Sequence, residues 1–476
     1  MEYQIFLDYI NHIAERIKEL IKEKSMFHVY SHLDADGLAA AGIIAKALHR
    51  EDVSFRVRIL PWIDEEILSE CARESAEVVI FSDLGSGYLD LINKAFPKKP
   101  VIILDHHPPV GKAAENIIHI NPVIFGLDGT VGISGAGVAY LTMKAINPEN
   151  IDSSPIAVVG ALGDLQDSFE HRRLGGLNEL IVSDAKRAGL LESHQDLIFY
   201  GHETRPIHKA MAYTMTPMLP GLSGSEGNCY AFLLSIGINP KTPDGSWRAL
   251  KDLTVEEKRK LASSLAEYLI AKRKTKRIPE LIGEVYTLIR EPKNTPLRDG
   301  REFATLLNAT GRMKRQGLGV ALCMGARGIY LDEAQRLLEE YRSTIGQYLN
   351  WAVTTPGALE EMENVYVLHG KETINDKMIS VVASVLVSAL PNPQKPLLAY
   401  AYVLDRNLAK FSLRTTSEVV ERGVHLGDIA RELTEPLGGS GGGHNIAAGA
   451  EVPIEKVPKF LQAFNQKVKG VLQGER

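Results

Sequence analysis

The chain has 476 residues, of which 45% are hydrophobic and 24% charged, and its formal net charge is −5. That length supports two to four separate cores, and the charge balance excludes a protein that coats duplex nucleic acid by charge alone. The three cysteines, Cys71, Cys229 and Cys323, make no CxxC pair, which argues against a zinc ribbon and a disulfide framework.

The N-terminus mixes Glu2 and Asp8 with Ile5, Ile10, Ile13, Ile17 and Leu20 at helical spacing. It reads as an amphipathic helix, not a signal peptide. No uncharged apolar run approaches the ~20 residues of a membrane span, so a cytoplasmic protein is expected. Strands are predicted at Phe27–Tyr30, Phe55–Leu60, Val78–Phe81, Val101–Leu104 and Ile117–Ile120, with a helix at Leu38–Leu48. The apolar run Ala157–Leu162 is taken as a further strand, ending at Gly163-Asp164. This alternation predicts an α/β fold with a mostly parallel sheet covered on both faces.

Prolines and glycines punctuate the chain from Gly201 to Pro243. Thr254–Ala271 then reads as a helix, with Thr254 as N-cap and Glu257 three residues on. The basic cluster Lys272–Arg277 at its end is read first as a solvated terminus favoured by the helix dipole, and second as a phosphate or partner contact. Residues 302–323 look helical, and Leu331–Trp351 forms a long charged helix. After Thr354-Thr355-Pro356-Gly357, strands (Val365–His369, Leu397–Leu404, Leu408–Arg414) alternate with helices (Lys377–Leu390, Leu426–Leu433, Ile454–Lys467). These shifts divide the chain into 1–200, 201–300, 301–355 and 356–476, with one glycine-rich loop near residue 440.

Four acidic motifs end predicted strands: Ser31-His32-Leu33-Asp34-Ala35-Asp36-Gly37, Ser82-Asp83, Asp105-His106-His107, and Gly163-Asp164-Leu165-Gln166-Asp167. In extended chain, residues two apart share a side, so His32, Asp34 and Asp36 are expected to converge. One acidic strand end is usually a cap or a turn. Four on the edge where parallel sheets place ligands point to a shared site. So many carboxylates repel unless cations neutralise them. A carboxylate–imidazole set suits Mn²⁺, with Mg²⁺, Co²⁺ or Zn²⁺ as alternatives.

His-Leu-Asp-Ala-Asp-Gly, Ser-Asp, Leu-Asp-His-His-Pro-Pro and Gly-Ala-Leu-Gly-Asp, in this order, resemble the four motifs of the DHH phosphoesterases. Asn308-Ala309-Thr310-Gly311-Arg312 resembles a segment of RecJ proteins, and Gly438–His444 resembles the glycine-rich substrate loop of the DHH-associated domain. The combination is similar to the archaeal RecJ-like group that includes the GINS-associated nuclease. Bacterial RecJ has Asp where this chain has His32. The resemblance implies a DHH domain at 1–200, an α+β insertion at 201–300, a helical connector at 301–355 and a smaller α/β DHH-associated domain at 356–476.

It also implies roles. Asp83 would bridge two Mn²⁺ ions. His32 and Asp34 would complete one site, and Asp36, His106 and Asp164 the other. Asp105 would orient a histidine, and His107 would donate to a phosphate oxygen. Arg312, Arg414, Gly441, Gly442, Gly443 and His444 would bind substrate, the glycines through closely approaching backbone N–H groups. The expected activity is a single-strand exonuclease on DNA or RNA tied to replication or repair, with the insertion docking a GINS-type partner. A small-nucleotide phosphodiesterase or phosphatase, and a replication scaffold, are the alternatives.

Overall fold

Five short runs, the last three of them rich in β-branched residues, form the first sheet: β1 (Met26–His32), β2 (Ser54–Leu60), β3 (Val78–Ser82), β4 (Val101–Leu104) and β5 (Ile117–Ile120). The computed structural model describes residues 2–214 and 217–473, and the side chains of Lys276, Arg277 and Ser388 lie outside that description. The strands are all parallel, in the order β2-β1-β3-β4-β5. Every residue of β3, β4 and β5 is buried, as two covered faces require. The chain leaves β1 toward β2 on one side and returns to β3 on the other. The gap between the carboxyl ends of β1 and β3 is therefore the switch point where such sheets bind ligands.

The expected strand Ala157–Leu162 is instead the helix Ser154–Gly163. Ser154 to Leu162 are buried without a break, so no polar stripe reveals the helical period. Pro155 sits in its first turn, as a helix start tolerates. Its small residues admit neighbours closely: a Cβ on Gly163 would lie 2.5 Å from the Ala35 Cβ. The extended reading of His32–Asp36 also ends early, because the helix Ala35–Arg50 begins there and places Asp36 in its first turn.

β6 (Leu191–Leu197) pairs antiparallel with β7 (Ile282–Leu288). Between them lie helices Ile207–Tyr213, Glu226–Ser235 and Val255–Ala271, over a core that includes Phe199, Met211, Leu233, Leu261 and Leu265. This is the α+β insertion. Thr254 caps the last helix: Thr254 N donates to Glu257 Oε2 at 2.8 Å, and Glu257 N donates to Thr254 Oγ1 at 3.2 Å. Lys272, Arg273 and Lys274 just beyond it are exposed. Lys276 and Arg277, also in that cluster, have side chains outside the described residues.

Helices Gly300–Arg312, Gln316–Met324 and Ile329–Thr354 follow. The chain divides into two compact units, Met1–Leu338 and Glu339–Arg476. The second carries β8 (Leu359–Glu361), β9 (Tyr366–Lys371), β10 (Leu397–Val403), β11 (Leu408–Arg414), β12 (Ser440–Gly443) and β13 (Ala447–Pro453), in the order β12-β13-β11-β10-β9-β8. β9 and β10 run parallel, and the other pairs are antiparallel. Phe411, Phe460 and Phe464 centre its core. The glycine run expected as a loop is thus an edge strand from Ser440. Its residues pack on the helix Leu426–Thr434, where a Cβ on Gly441 would lie 2.8 Å from the Ala430 carbonyl oxygen.

Candidate metal centre

Three adjacent strands set the site. Ser31 pairs with Ser82 and Ser82 with Leu104 in register, so the next residues, His32, Asp83 and Asp105, end their strands level with one another. Asp83 has φ 56°, a left-handed conformation that Asp tolerates better than most residues. Its two oxygens face different groups. Oδ1 lies 3.2 Å from His106 Nε2, and Oδ2 lies 3.7 Å from His32 Nδ1.

On one side, His32 Nδ1 is 2.9 Å from Asp34 Oδ2. Asp34 is also the N-cap of the helix Ala35–Arg50, accepting from Gly37 N at 3.1 Å. Gly37 is required there, because a Cβ would meet the His32 carbonyl oxygen at 2.4 Å. On the other side, His106 Nε2 lies 3.8 Å from Asp36 Oδ2 and 3.9 Å from Asp164 Oδ2. His106 Nδ1 donates to Gly129 O at 2.6 Å, which turns Nε2 toward the carboxylates. Asp36 accepts from Gly135 N at 2.7 Å and Ala136 N at 3.0 Å, at the start of the helix Gly135–Ile146. Two helix N-termini, each favouring negative charge, thus converge on the site.

The candidate ligand atoms fall into three overlapping groups, His32–Asp34–Asp83, Asp36–His106–Asp164 and Asp83–Asp105–His106–His107, those within each group lying no more than 4.8 Å apart. Burial, joined by Asp36 and Asp34, holds the Asp83 carboxyl well above its ordinary range. Burial and the same two carboxylates push Asp164 up to about 7, against the pull of His106. Burial opposes the charge of Asp34 too, but His32, the Gly37 N–H and Arg312 outweigh it and hold that carboxyl low. Among the described residues, the buried Asp83 Oδ2 has no hydrogen-bond partner. An orphaned buried oxygen among crowded carboxylates fits a cation between the groups. With oxygen and imidazole donors and no thiolate, the set fits Mn²⁺ or Mg²⁺.

Asp105 is wholly buried and works on its own loop. Its Oδ1 accepts from His106 N and from His107 Nδ1, each at 2.8 Å, and its Oδ2 accepts from Ser86 N at 2.8 Å. Burial disfavours charge on His107, yet Asp105 outweighs it and raises that imidazole to about 9. The His107 side chain stays half exposed beside the cluster.

Some contributors escaped the sequence reading. Gln166 is fully buried and its Nε2 donates to Asp164 Oδ2 at 2.8 Å, to Gly129 O at 3.0 Å and to Ile133 O at 3.2 Å. Its place beside Asp164 in one motif was the available signal. Asn308 Oδ1 accepts from Ala35 N at 3.1 Å, across 273 residues of chain. A Cβ on Gly311 would come within 1.8 Å of the Leu33 carbonyl oxygen. The Asn-Ala-Thr-Gly-Arg segment therefore packs directly on the turn that carries Asp34, and Arg312 acts electrostatically on that carboxylate.

Arg414 and the glycine strand share one end of the second sheet. Arg414 pairs with Ala447 and Gly443 with Ala448. His444 is exposed, and its N–H closes the hairpin onto Ala447 O at 2.9 Å. Arg414 Nη1 donates to Leu413 O at 2.8 Å.

Comparisons with known proteins agree with this architecture. Residues 26–163 match the DHH family N-terminal domain, 199–282 the DHH-CID domain and 363–470 the DHHA1 domain. A protein of Methanocaldococcus jannaschii, itself uncharacterized, is 33% identical over 463 residues, covering 95% of this chain and 96% of its own. In fold, the chain is similar to Thermus thermophilus RecJ in complex with Mn²⁺, with TM-score 0.57 and 16% identity, over 97% of this chain and 54% of that one. The chain thus spans about half the length of that RecJ. It is also similar to CDC45 from Entamoeba histolytica, with TM-score 0.62 and 12% identity, over 97% and 99% of the two chains. The chain belongs to the DHH superfamily of phosphoesterases, and its fold is RecJ-like.

Proposed function

We propose that this protein is a Mn²⁺-dependent exonuclease that hydrolyses phosphodiester bonds in single-stranded DNA or RNA, with Mg²⁺ or Co²⁺ as possible substitutes. The observation that carries the reading is the meeting of two ligand groups at Asp83, one oxygen toward each. His32 and Asp34 would hold one ion, Asp36, His106 and Asp164 the other, and Asp83 both. A bound pair of divalent ions supplies an activated water and neutralises charge on the phosphoryl oxygens. The rest is done by the chain. Asp105 orients His107, which donates to a phosphate oxygen. Arg312 adds positive charge beside Asp34. Arg414, the backbone of Gly441, Gly442 and Gly443, and His444 bind substrate phosphates from the second sheet, where Arg is suited to a bidentate grip.

In this reading, residues 1–200 are catalytic, 301–355 connect, and 356–476 bind substrate in the cytoplasm. The insertion at 201–300 docks a GINS-type replication partner, and a place in a replication complex is in keeping with the CDC45-like fold of the chain. The test is digestion of end-labelled single-stranded DNA and RNA 20-mers and of a dinucleotide, with Mn²⁺ or EDTA, against Asp83→Ala. Progressive shortening with Mn²⁺, lost by at least about a hundredfold in the variant, is expected. Intact strands with folded, metal-loaded protein would overturn the reading, and faster turnover of the dinucleotide would replace it with a small-nucleotide phosphodiesterase.

A further inference from the structure

The helix Ser154–Gly163 ends in two reciprocal bonds. Leu165 N donates to Leu162 O at 3.2 Å, and Gln166 N donates to Ala161 O at 3.0 Å. This is a Schellman closure with Leu165 at the position beyond the cap, where glycine is the favoured residue. Leu165 has φ 58°, a conformation that is an outlier for a bulky side chain. It is also 74% exposed. Its neighbours cannot relieve it. Asp164 belongs to the candidate metal centre, Gln166 is wholly buried, and Asp167 is buried and accepts from Arg301 Nη2 at 2.8 Å and Arg172 Nη2 at 2.9 Å. A large apolar side chain is therefore kept in water, in a costly backbone state, directly after a candidate ligand. The same loop exposes the aromatic ring of Phe169 together with Glu170, His171 and Arg173, where His171 Nε2 lies 3.5 Å from Glu170 Oε1 and Arg173 Nη1 lies 3.2 Å from Glu179 Oε1. An aromatic ring beside an arginine is one element of the platforms on which single-strand bases stack.

We infer that Leu165 is a substrate-positioning residue whose side chain packs against the face of the nucleobase adjoining the scissile phosphate. The inference rests on the proposed nuclease reading and deepens it. In a bound strand the phosphate at the metal centre brings its own sugar and base beside Asp164, and Leu165 is the exposed apolar group next to it. Leucine here also favours base-bearing strands without reading sequence, because every base offers an apolar face.

The experiment compares kcat and KM for the wild type, Leu165→Gly, Leu165→Asn and Leu165→Phe, with Mn²⁺. The substrates are a short single strand and the same strand with abasic sugars in its terminal nucleotides. The wild type is expected to show a KM about five- to tenfold lower for the natural strand, the order of one base-face contact. In Leu165→Gly and Leu165→Asn, both suited to a left-handed residue, the natural KM rises toward the abasic value while the thermal midpoint is not lowered. Leu165→Phe restores the preference. An active wild type whose preference survives in both small variants overturns this inference alone. A wild type that leaves both strands intact overturns the nuclease reading and this inference with it.

Discussion

Asp83 combines three costs: a left-handed backbone, full burial, and a carboxyl raised by Asp36 and Asp34. A raised carboxyl binds its proton in the fold over a pH range where the unfolded chain has released it. Between the ordinary carboxylate value and the raised one, the folded state binds more protons, so stability falls as pH rises. Metal-free protein should therefore lose stability upward from about pH 4, and Asp83→Asn should flatten that slope. Melting curves in EDTA from pH 4 to 8 measure it, and parallel slopes would contradict the assignment. Gln166 is the matching test of support. Gln166→Leu removes the donor from Asp164 Oδ2 and Ile133 O, while Gly129 O keeps the one from His106 Nδ1, and should weaken Mn²⁺ binding about 10- to 100-fold by calorimetry. Unchanged affinity would reduce Gln166 to packing.

At the scale of elements, β3 and β4 are readable because short β-branched runs followed by Asp are local signals, and β1 because its apolar run leads into His32 and Asp34. The helix Ser154–Gly163 was not, because it is apolar on every side and shows no period. Asp164 therefore reaches the cluster from a helix C-terminus, not a strand end. The glycine run from Gly438 looked like a loop for the opposite reason. Its residues lack side chains so that β12 can lie close on the helix Leu426–Thr434, and composition alone does not separate that from flexibility. The helix Gly300–Arg312 carries the sharpest element-scale prediction. With the Leu33 carbonyl 1.8 Å from an added Cβ, Gly311→Ala must push the helix off the His32–Asp34 turn. A displacement near 1 Å costs on the order of a hundredfold in rate. Activity should fall by that order and Mn²⁺ affinity should fall with it. Wild-type values for both would show that the turn does not depend on this contact.

For the whole molecule, all the candidate ligands lie in the unit Met1–Leu338, and the second unit holds Arg414 and His444. Ligand binding stabilises the unit that binds it, by about 2.7 kcal/mol at a hundredfold excess over Kd. Calorimetry with and without Mn²⁺ should shift the transition of the first unit and leave that of Glu339–Arg476 in place. A metal-dependent shift of the second alone would move the site. The α/β class, the Asp and His residues at the strand ends, the capped helix at Val255–Ala271 and the family resemblance are all legible in the amino-acid order, because each is written in short-range pattern. How those residues group is a product of the folded packing. Strand order set His32 and Asp83 on either side of the switch point, the buried helix delivered Asp164, and Asn308 reached Ala35 across 273 residues. These are consequences of packing and close backbone approach, which no local propensity encodes.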